Sequence, residues 1–332
     1  MLLRQLGASG IQASAIAMGT WAIGGGLSWG DNDDDLSVYA LHSALDAGVN
    51  LIDTAPMYGF GHSEEVVGKA IKGRREHVVL ATKCGLLWDR EDFGAFYLAR
   101  EGRRIFRSLH PDVIREELEI SLKRLGTDYI DLYQTHWPTL AQDRESISAT
   151  MECLMQFKME GKIRAIGASN VNLEQIREYQ SHGVLDVVQM RYTMLDRKIE
   201  GALLDYCKSQ NISVLAYSPL EQGLLTGNVG MDRLFGVGEI RAGKAWFSPL
   251  NRKRVLDMLA GWHDLTCKYH CTLSQLVIAW TIAQSGVTHA VCGARKPDQI
   301  LDNAGAGRLT LDSVDIQRIR LDVDGLGEPL SA

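Results

Sequence analysis

The chain has no G-x-G-x-x-G, so a dinucleotide held on a Rossmann fingerprint is not expected. It has no H-E-x-x-H and no C-x-x-C, which removes the commonest zinc-hydrolase and dithiol signatures. Six cysteines, Cys84, Cys153, Cys207, Cys267, Cys271 and Cys292, are scattered through 332 residues. Most fall within apolar patterns, where a free thiol packs as a small core residue, and a reducing, cytoplasmic home is expected. His263, Cys267, His270 and Cys271 fall close together, but on one expected helix they do not converge as a tetrahedral zinc site requires; a packed helix with two buried thiols is expected, and no metal. No apolar run approaches the ~20 residues of a membrane helix. The opening MLLRQLGASG lacks a charged segment followed by a long apolar one, so no signal peptide is expected. A net charge of -6 without a Lys/Arg run argues against a nucleic-acid partner.

Apolar residues make up 45% of the chain, enough for a sizeable core. After a hairpin-like start (Leu2 to Gly7, Ile11 to Ala15), short Val/Ile/Leu-rich runs alternate with helical patterns. Eight runs end the count: AIAMGTW, LIDTA, HVVLATKC, YIDLYQTHW, IRAIGASN, LDVVQMRY, ISVLAYSPL and THAVCGA. Between them lie amphipathic stretches such as PDVIREELEISLKRLG, started by Pro111, striped by Ile114, Leu118, Leu122 and Leu125, and stopped by Gly126. Ser63 and its acidic neighbours suit the start of another. Eight strand-then-helix units predict a closed (β/α)8 barrel over residues 1–332, with an N-terminal hairpin and a C-terminal extra helix.

In such a barrel reactive groups sit where strands end. Asp53, Lys83, His136, Ser169-Asn170, Gln189, Tyr217-Ser218 and Gly293-Ala294 all fall there. Tyr58 follows Asp53 by five residues in a Pro/Gly-marked loop. A phenol gives up its proton reluctantly, at a reference pKa of about 10. A neighbouring ammonium loosens that proton, and a carboxylate holds the ammonium in place. The GEIRAGKA stretch (Gly238 to Ala245) lacks the final hydroxyl of a P-loop and has no strand before it, so it is read as a coincidence.

These residues and their settings resemble the aldo-keto reductases, in a bacterial branch that is also similar to potassium-channel β subunits. The matching words are MGTW, NLIDTAPMYGFGHSEEVVGKAI, VVLATKC, SLKRLGTDYIDLYQTHWP, EGKIRAIGASN, AYSPLEQGLLTG and GARKPDQILDNAGA. The resemblance implies reversible reduction of a small aldehyde or ketone, sugar-derived ones included, by a nicotinamide dinucleotide. Tyr58 would be the general acid, Lys83 paired to Asp53 would tune it, and His136 would orient the carbonyl. Thr20, Trp21, Asp53, Ser169, Asn170, Gln189 and Tyr217 would border the nicotinamide. Ser218, Pro219, Leu220 and Gly223 would border the pyrophosphate, and Gly293, Arg295, Gln299, Asp302 and Asn303 the adenosine. Arg295 and Lys296 favour NADP(H) over NAD(H), since a 2′-phosphate seeks cations. Trp21, Trp29, Trp88 and Trp137 would form an aromatic substrate pocket.

One feature departs from the family pattern. A long insertion, Gly85 to His110, carries Arg100, Arg103, Arg104 and Arg107, which share one face if helical. The Gly-rich stretch Glu221 to Leu250 could close over the cofactor. Other readings stay open: a docking or regulatory subunit that binds the dinucleotide with little turnover, and a barrel isomerase or aldolase using Lys83 as a Schiff base.

Overall fold

The computed structural model describes residues 1–88, 90, 94–139, 146–236 and 238–331. Two short strands, β1 (Leu3–Gln5) and β2 (Gln12–Ser14), form the expected antiparallel hairpin. Eight parallel strands follow: β3 (Ile16–Gly19), β4 (Leu51–Asp53), β5 (Val79–Cys84), then β9 (Ile130–Thr135), β10 (Ile163–Ser169), β11 (Val187–Arg191), β12 (Ser213–Tyr217) and β13 (His289–Gly293). They close into a barrel in chain order, β13 pairing back onto β3. Between β5 and β9 the insertion contributes β6 (Leu86–Trp88), β7 (Ala95–Arg100) and β8 (Arg103–Arg107), a separate three-stranded sheet in the order β6-β8-β7.

The strand period of two sets the interior. Ala17, Leu51, Val79, Ala81, Leu132, Ala165, Val187, Leu215 and Val291 form one buried cluster with Leu6, Ile11 and Ala13 of the hairpin region. The hairpin thus plugs one end of the barrel. Continuing each strand by two residues from that apolar layer reaches Gly19, Asp53, Lys83, Gln134, Gly167, Gln189, Tyr217 and Gly293. Polar groups therefore collect on the inner face at the C-terminal mouth. The alternate residues, Met18, Ile52, Leu80, Tyr133, Ile166, Val188 and Val214, pack outward into the main core against the helices.

Helix ends follow local chemistry. Asp33 caps Asp34–Asp46, and Asn172 and Thr272 make capping boxes for Leu173–His182 and Leu273–Ala283. Pro111 opens Pro111–Leu125 and left-handed Gly126 closes it. The extra helix at the C-terminal end is Ser313–Asp324.

Several local expectations change. The four arginines of the insertion lie on the β7–β8 hairpin rather than a helix, because Phe96 pairs with Phe106 and Leu98 with Ile105 across the strands. Ser63 does not cap its helix, His62–Ile71. Gly61 holds the cap position, and the Ser63 hydroxyl turns inward to bond the Thr20 carbonyl (3.1 Å) and hydroxyl (2.8 Å). The helix expected to carry all four of His263, Cys267, His270 and Cys271 ends at Tyr269, with His270 as a left-handed cap and Cys271 beyond it. Cys267 is exposed and Cys271 half-buried, so neither thiol is hidden, and among the described residues no group of three or more metal-binding side chains converges. Glu145, an expected helix start, lies outside the described residues; the helix begins at Ile147 with Ser146 as its cap. Among the described residues, no helix is long and apolar enough to cross a membrane.

Two carboxylates tie the outer helices to β5. Glu64 accepts from the Thr82 hydroxyl (2.7 Å) and pairs with Arg124 (3.2 Å). Glu117 accepts the Gly85 backbone N–H at 2.7 Å, one residue past the end of β5. Burial pushes the Glu117 carboxyl up to about 8, against the pull of that N–H. A carboxyl raised on folding contributes stability below its ordinary 4.5, and that contribution is lost as pH rises through about 8. Glu117→Gln keeps an acceptor for Gly85 but has no charge to bury. Chemical denaturation across this range is expected to show a flatter stability profile for Glu117→Gln than for the natural protein, with the variant the more stable at the alkaline end.

Candidate active site

At the mouth, Lys83 Nζ lies 2.8 Å from Asp53 Oδ2, 2.9 Å from the Thr54 carbonyl and 3.1 Å from the Tyr58 hydroxyl. Lys83 is fully buried and Asp53 nearly so, at 2% exposure, so the ion pair sits out of water. The second Asp53 oxygen accepts from Gln189 Nε2 (2.7 Å) and Gln134 Nε2 (3.3 Å). Every strong acceptor of the carboxylate is thereby used, the condition under which a buried ion pair is tolerated. Gly167 makes this possible: a Cβ there would stand 2.6 Å from Gln134 Cγ and push the amide away.

The Tyr58 ring stands edge-on to the His136 ring, 5.9 Å between centroids. Burial pushes the Tyr58 phenol up; Lys83 pulls it down and Asp53 opposes that pull, and the net direction is up. Lys83 therefore acts in the expected sense, but a dry setting outweighs it. Lys83 itself is raised: Asp53 and Tyr58 together exceed the burial that would lower it. Burial, then the cations Lys83 and Arg107, hold His136 well below the ordinary imidazole range, so it is a neutral ring at physiological pH.

Beside this cluster opens a cavity of about 980 Å³. Tyr58, His136, Ser169, Asn170, Gln189 and Tyr217 border it, and so do Trp21, Trp29 and Trp137. Ser218, Pro219, Leu220 and Gly223 border it further along, followed by Gly293, Arg295, Gln299, Asp302 and Asn303. Thr20 does not: it is fully buried and its hydroxyl donates to the Asp53 carbonyl (3.0 Å), which makes it a support for the cluster. Trp88 is also absent from the wall. It packs on Phe60, centroids 5.5 Å apart, because β6 carries it to the side of the mouth.

The wall is built to take a long polar ligand. Trp29 Nε1, Gln222 Oε1 and Arg241 Nε are buried there without a hydrogen-bond partner, a costly state unless a ligand supplies one. A Cβ at Gly293 would meet only open space. Tyr217 donates to Asn170 Oδ1 (2.8 Å), and Asn170 Nδ2 donates to the His136 carbonyl (3.0 Å), which sets the ring of Tyr217 beside the cluster. Left-handed Ser218, Glu221 and Gln222 shape the turn after β12, and Arg191 pins Glu221 through both carboxylate oxygens at 2.7 Å. These features fit a nicotinamide dinucleotide lying from the cluster toward Arg295.

Two supporting residues carry no local signal of their role: Gln134, two residues past Leu132 on the inner face, and Ser63, whose place near a helix start suits a cap. Gly26 to Gly30 reads G-x-S-x-G, but Ser28 sits on a one-turn helix, Gly26–Trp29, and accepts from Arg100, with no strand-to-helix elbow.

A closed parallel barrel with a large polar-bordered cavity at its C-terminal mouth defines a barrel enzyme. The chain belongs to the aldo/keto reductase family, whose profile matches residues 15–321, and it is an NAD(P)H-dependent oxidoreductase of that family. It is 44% identical over 317 residues, 95% of this chain and 96% of the relative, to the NADH-specific methylglyoxal reductase of Escherichia coli K12. Among solved structures it is similar to the glycerol dehydrogenase AKR11B4 of Gluconobacter oxydans (TM-score 0.86, 35% identity, 99% of this chain and 97% of that one). It is also similar to an aldo/keto reductase of Klebsiella pneumoniae in complex with NADP and acetate (TM-score 0.69, 27% identity, 98% and 95%).

Lys83→Met leaves Asp53 a buried, unpaired carboxylate, which costs ~3–5 kcal/mol. Asp53→Asn with Lys83→Met removes both charges and is expected to regain a large part of that loss. Urea denaturation of the two variants beside the natural protein measures the difference.

Proposed function

We propose that the chain reduces a small aldehyde or ketone reversibly, with Tyr58 as general acid. The observation that carries this reading is the Asp53–Lys83–Tyr58 chain of short contacts ending beside neutral His136 at the cavity. Nicotinamide dinucleotide, when bound, supplies the hydride. The protein's task is then to meet negative charge growing on the carbonyl oxygen. Tyr58 gives that oxygen its proton, and the Lys83 ammonium, 3.1 Å from the phenol oxygen, stabilises the phenolate left behind. His136 is neutral and offers a ring N–H to the same oxygen, so the carbonyl is oriented without a competing proton transfer. Trp21, Trp29 and Trp137 exclude water and present flat faces to the substrate.

A Schiff base at Lys83 is disfavoured because all its hydrogen-bond partners are already in place within a dry cluster. The names of two relatives, methylglyoxal reductase and glycerol dehydrogenase, both concern three-carbon compounds, so we take a three-carbon carbonyl as the first substrate to test.

The choice of dinucleotide rests on Arg295. Its guanidinium borders the cavity and is the group a 2′-phosphate would meet, which supports NADP(H). Its Nη1 is engaged by the Trp29 and Asp31 carbonyls (3.1 Å each), Lys296 is not on the wall, and Asp298 and Asp302 are. Two carboxylates suit the free hydroxyls of an unphosphorylated ribose and support NAD(H), as does the name of the Escherichia coli relative. Fluorescence titration with NADPH and NADH decides between them.

Tyr58→Phe is expected to keep dinucleotide affinity while kcat for methylglyoxal falls by orders of magnitude, about 10²–10⁴-fold for a lost general acid. Near-normal turnover in that variant sinks the assignment. Tight dinucleotide binding by the natural protein with no reduction across an aldehyde and sugar panel favours the docking alternative.

A further inference from the structure

The insertion sheet brings one unusual charge to the mouth. Arg107, the last residue of β8, is 8% exposed. Among the described residues no carboxylate pairs with it, and its Nε has no partner. Nη1 makes only a long bond, 3.4 Å, to the Pro138 carbonyl. What holds the guanidinium is aromatic. Its Cζ lies 3.8 Å from the Tyr97 ring centroid and 4.7 Å from that of Trp137. A buried cation without an anion is costly, and two ring faces offset only part of that cost.

The local backbone is arranged for this contact. Along β7 and β8 the register shifts between Phe96 and Leu98, so Tyr97 and Leu98 together oppose Ile105. Such a bulge re-aims side chains, and Tyr97, Leu98 and Ile105 all border the cavity. Tyr97 and Trp137 stand 6.0 Å apart with Arg107 against both. Trp137 directly follows His136, and Pro138, whose carbonyl Arg107 reaches, follows Trp137. The guanidinium thus joins the insertion to the segment that carries the imidazole.

We propose that Arg107 is a positioning residue for carbonyl reduction: it fixes Tyr97 and Trp137 as one wall of the substrate pocket and, through Trp137 and the Pro138 carbonyl, holds the segment that carries His136. The inference rests on the reductase reading above and adds to it the insertion's part in substrate recognition. The charged and titratable groups around His136 come from three sides: Asp53 and Tyr58 from β4 and its loop, Lys83 from β5, and Arg107 from β8. Lys83 is already committed to Asp53. Arg107 is the cation there whose removal leaves the Asp53–Lys83–Tyr58 chain intact.

The test compares Arg107→Met and Arg107→Lys with the natural protein. Dinucleotide affinity by fluorescence titration and circular dichroism control for folding. Arg107→Met is expected to raise KM for methylglyoxal about tenfold or more, with kcat changed less and dinucleotide affinity unchanged. In a nitrogen-15 NMR titration, assigned with a His136→Gln variant, the His136 ring is expected to take up its proton at higher pH in Arg107→Met than in the natural protein. Arg107→Lys keeps the charge without the flat plane, so it is expected to retain the natural titration while KM stays high. Natural KM and natural His136 titration in Arg107→Met overturn the proposal. So does loss of fold in both variants, which assigns Arg107 to stability alone. If instead the natural protein binds dinucleotide but reduces nothing, the reductase reading fails first; the proposal fails on its own when turnover is present and Arg107→Met leaves it unchanged.

Discussion

The ion pair between Lys83 and Asp53 is the constraint around which the mouth of this barrel is organised. A dry ammonium and a dry carboxylate are stable together only if each remaining valence is filled. The structure fills them from five directions: Gln134 from β9, Gln189 from β11, the Thr54 carbonyl, the Tyr58 hydroxyl and the mutual contact. Thr54 and Tyr58 come from the loop after β4, and the two amides from β9 and β11. The pair therefore fixes where β4, β5, β9 and β11 end relative to one another. It also leaves Tyr58 bordering the cavity with the Lys83 ammonium 3.1 Å from its hydroxyl.

Burial does two jobs here that pull in opposite directions. It raises the phenol of Tyr58, so that hydroxyl holds its proton, and it depresses His136, so that ring stays uncharged. Proximity of a cation lowers both, which eases proton release from Tyr58 and keeps His136 neutral. Two side chains that share one wall are thus shifted in opposite directions by one environment, which is what the proposed reading asks of an acid and a neutral donor. Arg107 of the insertion adds to the same effect on His136, after burial and Lys83.

Outside the cluster, the cavity divides by chemistry. Near the cluster its wall is aromatic, with Trp21 and Trp29 edge-on at 5.4 Å. Toward the exit of β13 it is charged and polar, with Arg295, Asp298, Gln299 and Asp302. The loop bearing Trp29 spans the two regions. Glu101 at the hairpin tip accepts its Leu27 N–H (3.0 Å), and Arg295 from the far side holds the Trp29 and Asp31 carbonyls. Insertion, first loop and last loop are thereby tied over one cavity.

The sequence alone determined the barrel, the eight strands and the residues at their ends, because a period of two and its interruption by polar groups are local properties of the chain. It also located Asp53, Tyr58, Lys83 and His136, whose spacing from those strand ends is short. It did not reveal Gln134 or Ser63, since which inward polar residue meets Asp53 depends on how neighbouring strands are staggered. It misplaced Trp88 and Thr20 by one layer for the same reason, and it read the insertion's arginines as helical because their spacing of three to four also fits a hairpin carrying a bulge. Whether Lys83 or burial governs the Tyr58 proton was beyond it too: desolvation is set by everything packed around a group, and only the closed tertiary structure brings that surrounding together.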